Sequence, residues 1–307
     1  MKLPFLAPVV PPHVFCLLED GVTYARVRRR PVPGFEEARH FRYPGSSVAK
    51  ETTEAPATLV TREAIAEAVK AARALAGGRL TRASVLFPDA WGKVLSVELE
   101  APVTADRAGT DMLLWKLKKL LPQTTGELAL LHHAMPALDG ENRALVVATP
   151  RATIDAIERA FEECGVRIGY LAPSSVALFE GLAPTLAAAA SGDYALLHRT
   201  ERALSFLIGR GAEPIFFRQR PPEEDEDHDR EARLSLSYYV ERLKGPGLAA
   251  VYVHDERAAG TLENIAAFPV TPVKVTGRLF EADAGFDERV SARPELLAGF
   301  AAVYGRR

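Results

Sequence analysis

The hydrophobic pattern predicts a β-hairpin near the start of the chain. Apolar and polar residues alternate along residues 14–28, VFCLLEDGVTYARVR, on both sides of the dipeptide Asp20-Gly21. Alternation is the period of a half-buried strand, and Asp-Gly supplies the positive φ angles of a tight turn. A third strand is expected near residues 39–43. Residues 44–60 are polar and punctuated by proline, which predicts a loop.

Helical periodicity follows this loop. Thr61 can cap a helix, because its side-chain oxygen can accept a hydrogen bond from a backbone N–H of the first turn. The helix has its apolar residues on one face, and the pair Gly77-Gly78 ends it. Between residues 82 and 171 the order is strand, strand, helix, strand, strand, helix, strand. This order predicts a compact inserted α/β subdomain.

The N-terminal pattern begins again at residue 194, which predicts two lobes that each open on hairpins. The second set of elements is expected as strands at 194–198, 203–208 and 214–218, a helix near 229–243, a strand at 248–253, a helix at 257–267, a strand at 270–275 and a closing helix. The predicted domains are a first lobe of residues 1–81 and 172–190, the inserted subdomain of residues 82–171, and a second lobe of residues 191–307.

Composition gives no reason to expect nucleic acid or a membrane surface as the main partner. The 307 residues are 48% hydrophobic and 25% charged, with a formal net charge of −2. The two cysteines, Cys16 and Cys164, lie among apolar residues, which is typical of buried thiols in a reducing compartment. Prolines interrupt the apolar N-terminus, and the apolar run 182–190 is shorter than the roughly 20 residues that cross a bilayer. We therefore expect a soluble, cytoplasmic chain.

The order of elements resembles the two-lobed, ribonuclease H-like fold of the actin, sugar-kinase and heat-shock-chaperone superfamily. In that superfamily two hairpin turns hold the phosphates of a nucleotide, and a glycine pair after a late strand makes room for the adenosine. Backbone N–H groups must approach phosphate oxygens without an obstructing Cβ, and a carboxylate must orient Mg²⁺ through its waters. Each requirement can be compared with this sequence.

At the first turn, Glu19-Asp20-Gly21 stands where the superfamily has Asp-x-Gly, and Arg26 stands where a lysine is common. The resemblance implies an altered phosphate site with Glu19, Gly21 and Arg26 as its remnants. A plain hairpin with an Asp-Gly turn explains the same residues. Both interpretations remain open from the sequence.

The two later nucleotide elements are replaced. The second turn reads His198-Arg199-Thr200-Glu201 and has no glycine for close backbone approach. After the late strand, residues 254–256 read His-Asp-Glu in place of the glycine pair, although carboxylates there can also begin a helix. His198, Thr200 and Asp255 are therefore predicted to be remnants of a nucleotide site that no longer binds ATP or Mg²⁺.

The remaining polar segments indicate no catalytic or metal site. The acidic run PPEEDEDHDREAR, 221–233, predicts a solvated loop leading into a helix, because its carboxylates have no fixed ligand spacing. His132 and His133 are adjacent in a strand, so they point to opposite faces and cannot chelate one ion together. The sequence contains no H-E-x-x-H, C-x-x-C or G-x-S-x-G motif.

Four segments in collinear order resemble the PilM family of pilus-assembly proteins, the cytosolic actin-like components of type IV pilus machines. They are LLWKLKKLLP at 113–122, the strand-helix-strand segment 144–182, LSLSYYVERL at 234–243 and LLAGFAAVYGRR at 296–307. The resemblance runs from about residue 14 to 307 and depends on this order, since no single segment is strongly specific.

The resemblance implies a scaffold peripheral to the inner membrane, which contacts the membrane only through its partners. It implies a groove between the first and the inserted subdomain that binds the N-terminal cytosolic segment of a PilN-like protein, together with other pilus components. Aromatic and basic residues near a proline-punctuated loop are the candidate contacts, namely Phe87, Trp91, Trp115 and Lys118. We expect no cofactor and no ATP hydrolysis. The alternatives are an active actin-like ATPase and the cytosolic part of a type II secretion component.

Overall fold

The computed structural model describes residues 10–43, 61–104, 106–120, 127–138, 140–221, 228–257, 262 and 265–305. The chain divides into two compact units. Unit one comprises Met1–Asp89, Ala156–Leu186 and Val275–Arg307, and unit two comprises Ala90–Asp155 and Ala187–Lys274.

The described part of the chain contains both strands and helices. The strands are β1 (His13–Leu17), β2 (Gly21–Arg28), β3 (Gly34–Arg42), β4 (Arg82–Phe87), β5 (Lys93–Leu99), β6 (Leu128–Leu138), β7 (Glu141–Pro150), β8 (Arg167–Pro173), β9 (Asp193–Arg199), β10 (Leu204–Arg210), β11 (Glu213–Arg220), β12 (Leu248–Asp255) and β13 (Val273–Lys274). The α-helices are α1 (Arg62–Leu75), α2 (Arg107–Leu120), α3 (Arg151–Glu163), α4 (Ser174–Ala189), α5 (His228–Ser237), α6 (Phe286–Ala292) and α7 (Leu296–Tyr304).

Unit one contains a five-stranded sheet in the order β3-β2-β1-β4-β8. The three strands β1 to β3 are antiparallel, whereas β4 and β8 are parallel to β1. The predicted hairpin is confirmed, and the Leu18 N–H closes it by donating to the Gly21 carbonyl at 2.9 Å. Gly21 does not have the positive φ expected of it. Glycine fits there because a Cβ would overlap the carbonyl oxygen of Phe41 on β3.

Unit two repeats this arrangement in the order β11-β10-β9-β12-β13. Strands β9 to β11 are antiparallel and β12 and β13 are parallel to β9, so the predicted restart at residue 194 is confirmed. The same unit holds a three-stranded antiparallel sheet, β5-β7-β6. Helix α2 covers one face of that sheet by burying Leu113 and Leu117 against Val97 and Val146.

The structure corrects the expected boundaries of the inserted subdomain, 82–171. Strands β4 and β8 pair within the first sheet, so only the elements between them lie outside it. The three-stranded sheet groups with unit two, where the Arg143 side chain donates to the Ile215 carbonyl on β11 at 3.0 Å. The chain from Val275 onward groups with unit one and not with a second lobe of residues 191–307. These pairings join distant segments, which local periodicity does not encode.

Most predicted elements are present, with local differences. Thr61 caps α1 as expected, because its Oγ1 accepts a hydrogen bond from the Ala64 N–H at 3.2 Å. The expected helix at 257–267 is not found as an α-helix in its described part, where residues 266 and 267 form a turn and the segment before 265 lies largely outside the described residues. The strand expected at 270–275 shortens to β13. Helix α5 continues as one π-helical turn over Tyr238–Arg242.

Candidate functional site

The second turn lies at the carboxyl ends of β9 and β12, two neighbouring parallel strands. The carboxyl edge of such strands is where open α/β sheets bind ligands. The register pairs His198 with His254 and Arg199 with Asp255. Because side chains alternate along a strand, the histidine pair and the arginine–aspartate pair lie on opposite faces of the sheet.

Arg199 and Asp255 form a buried bidentate ion pair. The Arg199 Nε donates to Asp255 Oδ1 at 2.8 Å, and its Nη2 donates to Oδ2. The exposed fractions of the two side chains are 5% and 11%. Asp255 Oδ1 also accepts the backbone N–H of Arg257 at 2.9 Å. The two charges that could meet a phosphate and its metal ion therefore neutralise each other.

On the other face, His198, His254 and Glu256 form a second buried group, which we call the histidine–glutamate triad. The two imidazole rings are stacked with centroids 5.4 Å apart and an interplanar angle of 13°. His198 Nε2 lies 2.9 Å from Glu256 Oε1, and His254 Nε2 lies 3.9 Å from the same oxygen. Burial raises the pKa of the Glu256 carboxyl to about 7, because the charged form loses hydration.

Polar groups of the turn between β9 and β10 form hydrogen bonds within the protein. The Thr200 N–H donates to the Ala203 carbonyl at 2.8 Å, and the Ala203 N–H donates to Thr200 Oγ1 at 3.1 Å. The Glu256 N–H donates to the Arg199 carbonyl at 2.8 Å. These backbone donors point to protein acceptors, which gives a physical reason for the predicted loss of phosphate binding. The structure thus brings the predicted residues His198, Thr200 and Asp255 to one edge of the sheet.

The first turn, in unit one, has the geometry of an ordinary hairpin. Glu19 is exposed, and Gly21 is buried where β3 crosses close to it. Arg26 pairs with Glu36 on the adjacent strand, with Arg26 Nε 3.0 Å from the Glu36 carboxylate. Both side chains are more than a third exposed, so this ion pair contributes little stability. The contacts of Gly21 and Arg26 are those expected of a hairpin, and a phosphate role for Glu19, Gly21 and Arg26 stays a prediction.

The four candidate partner contacts differ in exposure. Phe87 on β4 is 2% exposed and Trp91 is 8% exposed, whereas Trp115 on α2 is 58% exposed. The Lys119 ammonium lies 3.6 Å from the centroid of a Trp115 ring, a cation–π contact that the sequence analysis missed. The i,i+4 spacing of the two residues could have revealed it. Lys118 is also exposed, so two of the four candidates, Trp115 and Lys118, are available at the surface.

The acidic run lies mainly outside the described residues, since 222–227 are not described. Its described end begins α5, as predicted. Asp229 accepts a hydrogen bond from the Ala267 N–H at 2.9 Å, and Glu231 lies 3.2 Å from Arg218.

The histidine–glutamate triad was not predicted from the sequence. The only available signal was the spacing of His254 and Glu256, which puts both on one face of a strand.

Each unit has a five-stranded sheet with the same strand order and with both antiparallel and parallel pairs, and the chain has the actin-like ATPase fold. Among the described residues, no helix is both long and apolar enough to cross a membrane.

Comparison with solved structures confirms the predicted resemblance at the level of the fold. The chain is 14% identical to a protein of a PilM-PilN type IV pilus biogenesis complex, with a TM-score of 0.71 over 96% of this chain and 99% of the other. A protein of Bacteroides thetaiotaomicron with an actin-like ATPase fold and unknown function is 9% identical, with a TM-score of 0.50 over 97% and 99% of the two chains.

The cytoplasmic domain of EpsL, an inner membrane component of the type II secretion system of Vibrio cholerae, is 12% identical over 94% of each chain. The TM-score of this comparison is 0.49. No protein-family model and no curated protein sequence matches the chain.

Proposed function

We propose that this protein is a cytoplasmic scaffold of a type IV pilus-like inner-membrane assembly complex. It binds the N-terminal cytosolic segment of a PilN-like membrane protein and does not hydrolyse ATP. Similarity over nearly the full length of both chains to a protein from a PilM-PilN complex supports the scaffold assignment. The observation that carries the proposal is the buried Arg199–Asp255 pair, which fills the turn where the resemblance implies a phosphate.

The ion pair makes phosphate binding costly. Phosphoryl transfer depends on positioning and on charge stabilisation by a metal ion and backbone donors. A phosphate that paired with Arg199 would leave the buried Asp255 carboxylate without its partner, and an uncompensated charge of this kind costs about 3–5 kcal/mol. Micromolar binding corresponds to about −8 kcal/mol. The cost would offset about half of that free energy and leave an affinity in the millimolar range.

Helix α2 supplies the surface that we assign to the partner. Leu113 and Leu117 face the sheet, so Trp115 lies on the outward side of the helix, with Lys118 also exposed. A large, exposed aromatic side chain is a typical anchor for a partner peptide. An apolar side chain of the PilN-like segment would cover Trp115, and Lys118 would contact its polar flank. Phe87 and Trp91 are buried and are not assigned a direct contact.

Calorimetry with Mg·ATP tests the nucleotide part of the proposal. We expect no binding at micromolar nucleotide and no phosphate release. Binding with a micromolar Kd, together with phosphate release, would reject the non-hydrolysing scaffold and favour an active actin-like ATPase. An Arg199→Ala, Asp255→Ala variant is a useful control, because removing the ion pair without adding glycine should not restore binding.

Titration with a labelled N-terminal peptide of the PilN-like protein from the same organism tests the partner. We expect the wild type to bind and Trp115→Ala to bind at least about tenfold more weakly, the scale of an interface hot spot. Val240→Ala is the matched control, because Val240 is a 51% exposed apolar residue elsewhere in unit two. Failure of the wild type to bind would reject the scaffold assignment. Equal effects of Trp115→Ala and Val240→Ala would reject the assigned surface.

A further inference from the structure

The histidine–glutamate triad has the composition and placement of a metal site. His254 and Glu256 are two residues apart, so their side chains lie on the same face of the extended chain. His198 joins them because the parallel register places it directly beside His254. Three potential ligands therefore come from the ends of two adjacent strands.

The distances suit a small ion. One ligand atom from each of the three residues lies within 4.8 Å of the other two. Zn²⁺ binds histidine nitrogen and carboxylate oxygen at about 2.0–2.2 Å, which separates tetrahedral ligand atoms by about 3.3 Å. The observed separations of 2.9 and 3.9 Å from Glu256 Oε1 to the two Nε2 atoms lie on either side of that value. Side-chain shifts of about half an ångström would bring both of these oxygen–nitrogen distances to that value.

The surroundings favour a cation. The carboxylate of Glu201 acts electrostatically on Glu256, and so does that of Asp255, although Arg199 balances the charge of Asp255. The nearest arginine in the register, Arg199, is bound to Asp255 on the opposite face. Both histidine side chains are 2% exposed, whereas that of Glu256 is 13% exposed, so solvent reaches the group from the Glu256 side. Water could occupy a fourth position from that side.

We propose that His198, His254 and Glu256 bind one divalent transition-metal ion of the Zn²⁺ class. Two imidazoles and one carboxylate form a donor set found in zinc sites, whereas Mg²⁺ prefers oxygen ligands. The ion would connect the carboxyl ends of β9 and β12 and so stabilise unit two. This site does not depend on the proposed scaffold function.

Metal titration of the full chain tests the site. The protein is stripped with a chelator, titrated with ZnCl₂ by competition against a chromophoric chelator, and titrated separately with MgCl₂. We expect one Zn²⁺ per chain with a micromolar or tighter Kd, a higher Tm with Zn²⁺, and no such effect of Mg²⁺. Glu256→Gln and His254→Gln should each weaken Zn²⁺ binding at least about 100-fold, since even the loss of a ligand's supporting hydrogen bond costs 10–100-fold.

His133→Ala is the matched control, because His133 lies 2.8 Å from Glu213 in an exposed pair away from the triad. It should bind Zn²⁺ like the wild type. Histidine-selective NMR of the wild type avoids dependence on variant folding, and Zn²⁺ should shift the ring signals of two of the seven histidines. Absence of stoichiometric binding, equal binding by Glu256→Gln, or shifts confined to other histidines would overturn the proposal.

Discussion

Replacing Arg199 by methionine is expected to destabilise unit two strongly. Methionine keeps much of the side-chain length but leaves the Asp255 carboxylate, 11% exposed, without its bidentate partner. Removing one member of a buried ion pair costs about 3–5 kcal/mol, because the remaining charge stays desolvated. We therefore expect the free energy of unfolding to fall by about 3–5 kcal/mol.

The double variant Arg199→Met, Asp255→Asn distinguishes the free-energy cost of burying an unpaired charge from the cost of lost side-chain packing. Asparagine can still accept the Arg257 N–H, and both charges are gone. Replacing both partners of a buried pair is often close to neutral, so we expect the double variant to recover at least about 2 kcal/mol relative to Arg199→Met.

Urea unfolding followed by tryptophan fluorescence measures these changes in the relevant part of the chain. The chain has two tryptophans, Trp91 and Trp115, and both belong to unit two, as does Arg199. A chelator in the buffer keeps metal binding out of the measurement. Arg242→Met is the matched control, because the Arg242–Glu141 pair is exposed and should contribute at most about 1 kcal/mol. If Arg199→Met shifts the midpoint no more than Arg242→Met, the reasoning is refuted.

Three further predictions concern other parts of the two units. Burial alone would raise the pKa of Asp193, but hydrogen bonds from arginine and tyrosine side chains hold this pKa below its usual value. The ionised Asp193 carboxylate therefore stabilises the folded state, and this contribution is lost as pH falls. Urea midpoints at decreasing pH should therefore fall less steeply for Asp193→Asn than for the wild type, and equal slopes would contradict this. Gly181→Ala should lower the Tm, because a Cβ would overlap the backbone of α7, whereas Gly285→Ala meets nothing closer than 3.8 Å and should not. Cys16 and Cys164 are buried thiols and should react with a thiol reagent only after unfolding, so rapid reaction of the native protein would contradict their burial.

The local elements and their order could be predicted from the sequence alone. The hairpin at residues 14–28, the helix capped by Thr61 and the restart at residue 194 follow from periodicity and from turn and cap residues. These signals act over a few residues, so each segment carries its own information. The missing glycines at residues 198–201 were also visible directly, because the need for glycine is a local steric requirement.

Only the tertiary structure decided which distant segments meet. It assigned β4 and β8 to the first sheet and the closing segment from Val275 to unit one, because parallel pairing and burial depend on the whole chain. It showed that Trp91 is buried and Trp115 is exposed, although the sequence made both equal candidates for partner binding. It also paired Arg199 with Asp255 and His198 with Glu256. These partners are more than 50 positions apart, and only the register of β9 against β12 places them within hydrogen-bonding distance.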